Sequence, residues 1–314
     1  MLGFTKNLND RLLFKKLLKL IIFINLTPAL FVIFTSAYMT YQSLSVSTSY
    51  NNQLVAVNLA NDIDDFLLEK EHLLSFISTL PEIQSMDPVK QTPILQDSVK
   101  KYNNDFTTIF IANTSGQQIA RDSGDFFNVS DRQYFKDIIR GQNFSISDIL
   151  ISKLTNQPIA IISVPIKKND IIIGVISAPL KLSRIDELVN YNYDMKHSQT
   201  CIFVADNNGH VISHPDNTIF NDLSNVKTLA PLKASQNQIS GSVKYADKGK
   251  NLFASYAKSK KAKWIVVVQE DEDNTLSFLK KQILYSISTL LLVGMISVYA
   301  TYLIYKSSSP SKIN

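Results

Sequence analysis

One short segment of the chain combines a guanidinium with two aromatic rings. Arg132, Tyr134 and Phe135 lie within four residues, in the hexapeptide SDRQYF that begins at residue 130. A guanidinium presents a rigid fork of donors that binds a carboxylate through two parallel hydrogen bonds. Rings beside it exclude water, which strengthens the attraction between the two charges. The segment therefore predicts a site for a small anion, of which a carboxylate is the simplest.

The same arginine also has a purely structural interpretation. Three carboxylates, Asp131, Asp137 and Asp148, are candidate partners that would hold the segment against a neighbouring sheet. In that case Arg132 would stabilise the fold without touching a ligand. The two roles do not exclude each other, and the sequence alone leaves both open.

Runs of β-branched and apolar residues, separated by polar breaks, predict an antiparallel sheet around this segment. The predicted strands are 106–113, 117–121, 145–153, 158–165 and 171–180. Residues 114–116 and 154–157 are predicted as the turns of two hairpins. The segment that contains Arg132 therefore lies just before strands that are placed to form the floor of a pocket.

A long helix is predicted ahead of this sheet. Apolar residues recur at three- and four-residue steps from about residue 45 to residue 80, which is the helical period. Pro81 ends this helix, and Asp87 followed by Pro88 is a typical start for another that runs to about Tyr102. The pattern is typical of a stiff helical stalk that leads into a folded domain.

The chain repeats the strand pattern about 90 residues further on. The sequence IFIANTSGQQIAR at 109–121 is echoed by IFVADNNGHVISH at 202–214, each as strand, turn and strand. A helix predicted at 183–195 precedes this second part, whose predicted elements are strands 200–205, 210–213, 238–245, 251–258 and 264–270 and a helix at 223–232. Such self-similarity predicts two similar α+β modules stacked along one long helix.

Two apolar segments predict membrane helices. Residues 18–40 form a nearly uncharged run, and residues 282–305 contain no charged side chain. About 20 such residues are enough to span the hydrocarbon core of a bilayer. A cleaved signal peptide is the rival interpretation of the first run, but the run is longer than the usual apolar core of such a peptide.

The distribution of charge predicts the topology. Of the net charge of +5, the first 19 residues carry +4 and the residues after 305 carry +2, so the large middle region is nearly neutral. This distribution argues against a nucleic-acid partner. Basic residues before the first span favour a cytoplasmic N-terminus. The prediction is a bacterial two-pass membrane protein with cytoplasmic tails, 1–17 and 306–314, and an extracytoplasmic domain, 42–280.

Other groups that could do chemistry give weaker patterns. Cys201 is the only cysteine, so no disulfide can form within the chain. His210 and His214 lie across a turn and a strand rather than on one helix face, which argues against a shared metal ion. Four lysines between residues 258 and 263 are expected on a solvated loop near the membrane surface. No nucleophile–base pair or phosphate loop is present, so no enzymatic activity, metal or cofactor is predicted.

The long first helix and several stretches of sequence carry a resemblance to a known family. The stretches are IFIANTSGQQIAR, VSDRQYF, SISDILISKLTNQPIAIISVPI, GVISAPLKLSRIDELV, VADNNGHVISHPDNTIF and KWIVVVQ. They resemble the double-Cache (PDC-type) extracytoplasmic sensor domains of bacterial chemoreceptors, histidine kinases and cyclic-di-GMP enzymes. The resemblance implies two PAS-like antiparallel-sheet modules within residues 42–280. The membrane-distal module would span 82–182 and the membrane-proximal module 197–270.

The resemblance also implies which residues of the distal module contact a ligand. The arginine that holds a carboxylate in the amino-acid-binding branch corresponds to Arg132. The aromatic positions beside it correspond to Phe127, Tyr134 and Phe135. Asp148 matches an acidic position of the same site.

The chain departs from the family pattern at two of these positions. Pro179 stands where the amino-acid-binding members have the aspartate that holds the amine. Ile146 stands where a pocket tyrosine is common. An ammonium group on the ligand would therefore lose its main counter-charge.

The expected function is that of a sensor. A small ligand, expected to be an organic acid or a related anion, binds the distal module and shifts the membrane helices, with a homodimer formed through stalk and membrane helices. The alternative is a membrane-anchored accessory subunit whose Cache fold binds nothing small, as the loss of the amine-binding aspartate suggests. No output domain follows residue 305, so a cytoplasmic or membrane signalling partner, or a longer chain, is expected to supply the output.

Overall fold

A single helix of 77 residues, α1 (Leu2–Ser78), forms the first quarter of the protein in the computed structural model. The predicted membrane segment and the predicted stalk are one helix, because residues 41–44 contain no glycine or proline to interrupt it. Pro28 is accommodated inside the helix. The helix ends shortly before Pro81, because a proline disfavours helical geometry at the residue that precedes it. Leu80 is accordingly extended, with φ −65° and ψ 136°.

The structure describes residues 2–152, 158–192, 200–216 and 226–308. One compact unit is Ser49–Asp271, and a second comprises Met1–Thr48 and Glu272–Asn314. Some predicted elements lie wholly or partly outside the described residues, namely the turn 154–157 and the ends of the helices predicted at 183–195 and 223–232.

Two short helices follow α1, and the second has close to the predicted bounds. They are α2 (Pro81–Gln84) and α3 (Pro88–Lys101). Asp87 caps α3 as predicted, because its Oδ1 accepts the backbone N–H of Val89 at 3.0 Å. Such a cap satisfies one of the backbone donors that every helix leaves unpaired at its first turn.

The first antiparallel sheet has six strands. They are β1 (Phe110–Asn113), β2 (Gln118–Arg121), β3 (Ser145–Ile146), β4 (Leu150–Ile151), β5 (Pro158–Lys168) and β6 (Ile171–Leu180). Their order across the sheet is β2-β1-β6-β5-β3, and β4 also pairs with β5. Helix α4 (Gln133–Ile139) lies between β2 and β3 in the chain, and α5 (Ser183–Asn192) follows β6. The first module denotes this sheet with α4.

The second antiparallel sheet has the same plan. Its strands are β7 (Thr200–Ala205), β8 (Val211–Ser213), β9 (Ser240–Asp247), β10 (Lys250–Lys258) and β11 (Ile265–Asp271). Their order is β8-β7-β11-β10-β9. One helix, α6 (Ala230–Ser235), takes the place of α4. The second module denotes this sheet with α6, and the shared order confirms the prediction of two similar α+β modules.

Apolar side chains cover both faces of the first sheet, because successive residues of a strand point to opposite sides. On one face, Ile111 of β1 belongs to a large core with Leu59 and Ile63 of α1, all fully buried. On the other face, Phe110 packs in a smaller cluster with Phe135 of α4. The α4 side of the sheet is therefore the thinner layer.

One expectation about the strands was wrong, and one loop makes contacts that were not predicted. The strand predicted at 145–153 is divided into β3 and β4, because Ile149 between them donates its backbone N–H to Asp206 of the second module at 3.0 Å. In the lysine-rich loop, Lys260 and Lys263 are exposed, and the loop is also attached to α1. The backbone N–H groups of Lys260 and Lys261 donate to the Asp64 carboxylate at 2.7 and 2.9 Å.

The second compact unit contains the last two helices. They are α7 (Glu272–Thr275) and α8 (Ser277–Ser308), which follow Asp271. By length and composition, two segments are long and apolar enough to cross a membrane, one within Leu18–Ser78 of α1 and the other Ser277–Leu303 of α8. The first segment includes the predicted run 18–40, and the second covers 282–303 of the predicted run 282–305.

Candidate functional site

A cavity of about 50 Å³ lies on the α4 side of the first sheet. This volume is about four times the space that one water molecule needs, so the cavity suits a very small ligand. The residues that line it are Phe110, Gln118, Arg121, Phe127, Val129, Arg132, Tyr134, Leu150, Ser152, Ile159, Ile161 and Pro179. Two arginines and no aspartate or glutamate are among these lining residues. The lining is therefore mostly apolar and carries positive charge.

Arg132 reaches the cavity from the N-terminus of α4. It is the N-cap residue, with an extended backbone at φ −79° and ψ 136°. Its Nε lies 3.6 Å from Asp131 Oδ2, which is the distance of an ion pair rather than of a hydrogen bond. Of the three carboxylates predicted as partners of Arg132, Asp131 is the one that lies within 4.0 Å of the guanidinium. This loose pair leaves the guanidinium fork able to bind a further acceptor.

Arg121 reaches the same cavity from the end of β2. The residue is 6% exposed, and its guanidinium lies 5.7 Å from the centroid of the Phe110 ring. Burial lowers the pKa of Arg121, with the nearby Asp122 and Asp125 acting in the opposite direction. Arginine starts from so high a pKa that the group keeps its charge near neutral pH. Arg121 is therefore a buried cation at the wall of the cavity.

Tyr134 and Gln118 supply polar groups between the two arginines. Burial raises the pKa of Tyr134, so its hydroxyl stays protonated and available as a donor. Gln118 Oε1 accepts the backbone N–H of Phe127 at 3.1 Å and Nη1 of Arg121 at 3.3 Å. Gln118 thereby fixes the loop that carries Phe127 and one edge of the Arg121 guanidinium.

The structure brings together three of the five predicted ligand-binding residues. Arg132, Tyr134 and Phe127 all line the cavity. Phe135 lies one residue beyond Tyr134 on α4, and its ring is buried in the core beneath the helix. Asp148 is not at the cavity, because the divided strand turns it toward the second module.

Asp148 instead belongs to the contact between the two modules. Its Oδ2 accepts a hydrogen bond from Asn208 Nδ2 at 2.8 Å. Burial, together with the charge of Asp206, raises the pKa of the Asp148 carboxyl. The candidate site is therefore described without Asp148, and the acidic group assigned to it by resemblance has no counterpart among the lining residues.

Arg121 and Gln118 are the site residues that sequence reasoning did not single out. Both lie in the stretch IFIANTSGQQIAR, which was interpreted as a hairpin only. A signal was present, because a charged side chain at the end of a strand with Ile119 and Ala120 is unusual in a buried sheet. Pro179, noted for its position in the sequence, does line the cavity.

Comparisons with known proteins agree with this fold. The sequence pattern of the Cache domain family, in its double form, matches residues 42–278. No curated protein matches the sequence. Because the family match covers three quarters of the chain, the protein belongs to the double-Cache family, which is a family of sensor domains.

Several solved structures share the fold. The ligand-binding domain of the Pseudomonas fluorescens chemoreceptor CtaA, in complex with L-isoleucine, is 18% identical with a TM-score of 0.59, covering 78% of this chain and 99% of that one. The ligand-binding domain of the Campylobacter jejuni chemoreceptor Tlp3, in complex with L-valine, is 15% identical with a TM-score of 0.58, covering 76% and 98%. The ligand-binding domain of Mlp24 with asparagine is 15% identical, with a TM-score of 0.59 and coverages of 78% and 99%. At these identities the likeness establishes the fold.

Proposed function

We propose that the protein is a membrane-anchored sensor that binds a small organic acid in the cavity of its first module. The observation that carries the proposal is the pair Arg121 and Arg132 at one cavity with no acidic lining residue. In a mostly apolar environment, a guanidinium attracts a carboxylate far more strongly than it does in water. The Tyr134 hydroxyl adds a neutral donor to the same site.

The solved relatives named above hold amino acids, and the same fold supports a small ligand here. The proposed ligand differs from theirs because Pro179 lines the cavity where an amine would need a carboxylate. A buried ammonium group without a counter-charge is strongly disfavoured. We therefore favour an acid without an amine.

The remaining parts of the proposal concern the membrane and the signal. The apolar segments of α1 and α8 would anchor the protein in the bacterial cell membrane, with the double-Cache domain outside and both termini in the cytoplasm. Ligand binding would favour one of two conformations and so shift these helices. A homodimer through α1 and α8 would pass the shift to a cytoplasmic or membrane signalling partner.

Thermal unfolding of the full-length protein in detergent micelles tests ligand binding. Trp264 is the only tryptophan and is fully buried in the Ser49–Asp271 unit, so its fluorescence reports the unfolding of that unit. A short organic acid at about 100 times its Kd should add roughly 2.7 kcal/mol of stability. We expect Arg132→Ala to abolish the shift and Arg140→Ala to retain it, because Arg140 lies on the exposed side of the end of α4.

Two outcomes would contradict the proposal. Wild type that shows no shift across short mono- and dicarboxylates, while unfolding cooperatively, would favour an accessory subunit that binds no small acid. Equal shifts in wild type and in Arg132→Ala would place the acid elsewhere on the protein.

A further inference from the structure

We infer that Arg121 is a second anion-binding group of this cavity and that its ligand is a short dicarboxylate without an amine. One carboxylate would pair with Arg132 and the other with Arg121. The inference rests on the proposed function and specifies the charge of the ligand that the same cavity takes. Arg121 then becomes the residue that determines specificity, while Arg132 binds any carboxylate.

The hydrogen bonds of Arg121 leave one edge of its guanidinium unused. Nε donates to the carbonyl oxygen of Ser123 at 2.6 Å. Nη1 donates to Gln118 Oε1 and to the carbonyl oxygen of Asp125, both at 3.3 Å. The two N–H bonds of Nη2 have no acceptor among the described residues. The three acceptors that Arg121 does have are neutral, so they orient the guanidinium without neutralising it.

No carboxylate of the described chain compensates the charge of Arg121 by direct contact. None lies within 4.0 Å of its guanidinium. The adjacent Asp122 is held by the residues just before β1, since its Oδ1 accepts the hydroxyl of Thr108 and the backbone N–H of Ile109. A buried charge without a partner is costly, and a ligand carboxylate would supply that partner.

The second module shows that the fold itself does not require either arginine. The two modules match through one shared hydrogen bond, from Val129 N–H to Gly116 O and from Val226 N–H to Gly209 O, both at 2.8 Å. The third residue after each of these valines is the N-cap of the following helix. Arg132 holds that position in the first module, and Leu229 holds it in the second.

The end of the second strand gives the same result. The fifth residue after Gly116 is Arg121, and the fifth residue after Gly209 is His214. The same backbone plan is thus built with leucine and histidine in one module and with two arginines in the other. Because the scaffold folds without these cations, their presence together at the cavity of the first module points to a ligand.

The number of charges determines which acid the cavity prefers. A ligand with one carboxylate leaves one of the two guanidinium groups without a counter-charge, and an added ammonium group would be repelled by both. The small volume of about 50 Å³ limits the ligand to a short chain. Malonate, with two carboxylates and one carbon between them, is the matched probe.

Isothermal titration of the full-length protein in detergent micelles tests the inference with a pair of isosteric probes. Malonamate has the shape of malonate, but a neutral amide replaces one carboxylate. Wild type should bind malonate at least about tenfold more tightly than malonamate, a difference of about 1.4 kcal/mol. Succinate and aspartate form a second pair, and we expect the ammonium group of aspartate to weaken binding.

Variants assign the two charges to the two arginines. Arg121→Gln should bind malonate and malonamate with the same affinity, close to that of malonamate for wild type. Arg132→Gln should bind neither. The matched control is Arg140→Gln, which removes an exposed arginine at the end of α4 and should leave both affinities unchanged.

A second variant keeps the inference testable if Arg121→Gln does not fold. Pro179→Asp introduces a carboxylate on β6 at the wall of the cavity without removing any contact of Arg121. This variant should weaken the binding of malonate by about tenfold or more, because the new charge repels the second carboxylate. The binding of malonamate should be weakened less.

The outcomes separate the inference from the proposed function. If wild type binds malonate and malonamate equally, and both depend on Arg132, the second charge has no role and the inference is overturned while the proposed function stands. If Arg121→Gln still binds malonate more tightly than malonamate, the inference is also overturned. If none of the short acids binds wild type, the proposed function fails as well.

Discussion

The two modules share one backbone plan but treat the space above the sheet differently. In the first module, the Tyr134 hydroxyl has no acceptor among the described residues and lines the cavity together with Pro179. In the second module, Gln269 occupies on β11 the place that Pro179 occupies on β6. Tyr245 donates its hydroxyl to Gln269 Oε1 at 2.6 Å. The second module thus satisfies this tyrosine hydroxyl internally, and the first leaves its tyrosine hydroxyl as a donor for a ligand.

Arg121 at the end of β2 and His214 just after β8 show the same contrast. The Arg121 guanidinium lies 5.7 Å from the Phe110 ring, and the His214 ring lies 5.7 Å from the Phe203 ring. Burial lowers the pKa of both groups. Arginine nevertheless stays charged, whereas histidine becomes a neutral ring near pH 7. A few side chains therefore decide the chemistry of a module whose topology is the same in both cases.

The residues that cap the first turn of each module differ in their hydrogen-bond partners. Asn113 and Asp206 each cap a turn, because Oδ1 accepts the backbone N–H groups two and four residues later. Asp206 is fully buried, and its Oδ2 also accepts the N–H of Ile149 in the first module and contacts His210 Nδ1, both at 3.0 Å. The hydrogen bonds that Asn113 accepts therefore stay within its own turn, whereas those that Asp206 accepts also join the two modules.

The largest expected effect comes from removing that junction. Asp206→Ala should lower the free energy of unfolding by roughly 3 kcal/mol or more, because it leaves several buried donors without a charged acceptor. Asn113→Ala should cost about 1 kcal/mol, since its turn is partly exposed. Urea unfolding followed by circular dichroism and by Trp264 fluorescence measures both.

A third variant sharpens this comparison. Asp206→Asn keeps an oxygen acceptor for the turn but loses the charge, so its stability should fall between wild type and Asp206→Ala. Equal losses for Asp206→Ala and Asn113→Ala would show that the contact with Ile149 contributes nothing to stability.

Two tyrosines provide a second comparison, with opposite readouts. Tyr134→Phe should leave stability nearly unchanged but weaken the binding of the acid by about five- to tenfold, because it removes a hydrogen-bond donor at the cavity. Tyr245→Phe should lower stability by about 1 kcal/mol, through the loss of its bond to Gln269, and leave acid affinity unchanged. Thermal unfolding and acid titration of both variants test this. Tyr134→Phe with full affinity would mean that its hydroxyl does not contact the ligand.

The sequence predicted the elements well wherever the pattern was local. The strands at 171–180 and 200–205 have the predicted bounds, because runs rich in β-branched and apolar residues end at polar residues. Arg132 was identified because its aromatic neighbours lie beside it in the chain. Helix α4 was not predicted, since its seven residues show too few turns for a helical period to emerge.

The remaining site residues depend on tertiary contacts. Arg121 lies at the end of β2 and Arg132 at the start of α4, and the two line one cavity because strands that come later in the chain complete the sheet between them and the core. Asp148 was assigned by resemblance, but the hydrogen bond between Ile149 and Asp206 turns that part of the chain toward the second module. No local pattern encodes a bond between residues 57 positions apart.

The smallest expected effect is the pH dependence of stability that His214 causes. His214 of the second module can lose its charge, whereas Arg121 of the first module cannot. His214 Nδ1 accepts the backbone N–H of Asp216 at 2.9 Å, so the neutral ring carries its proton on Nε2. Burial lowers the pKa of His214 below its usual 6.5. The unfolded chain therefore binds this proton more readily than the folded one, and stability falls as the pH decreases through and below about 6.5.

His214→Gln removes this proton but keeps a polar side chain of similar size. We expect wild type to lose more stability than the variant between about pH 8 and about pH 5, while the other titrating groups affect both proteins alike. Urea midpoints followed by Trp264 fluorescence measure the difference. Because an arginine does not titrate in this range, Arg121→Gln should leave the pH slope of stability unchanged. Parallel slopes for wild type and His214→Gln would mean that His214 is as well solvated in the folded state as in the unfolded chain.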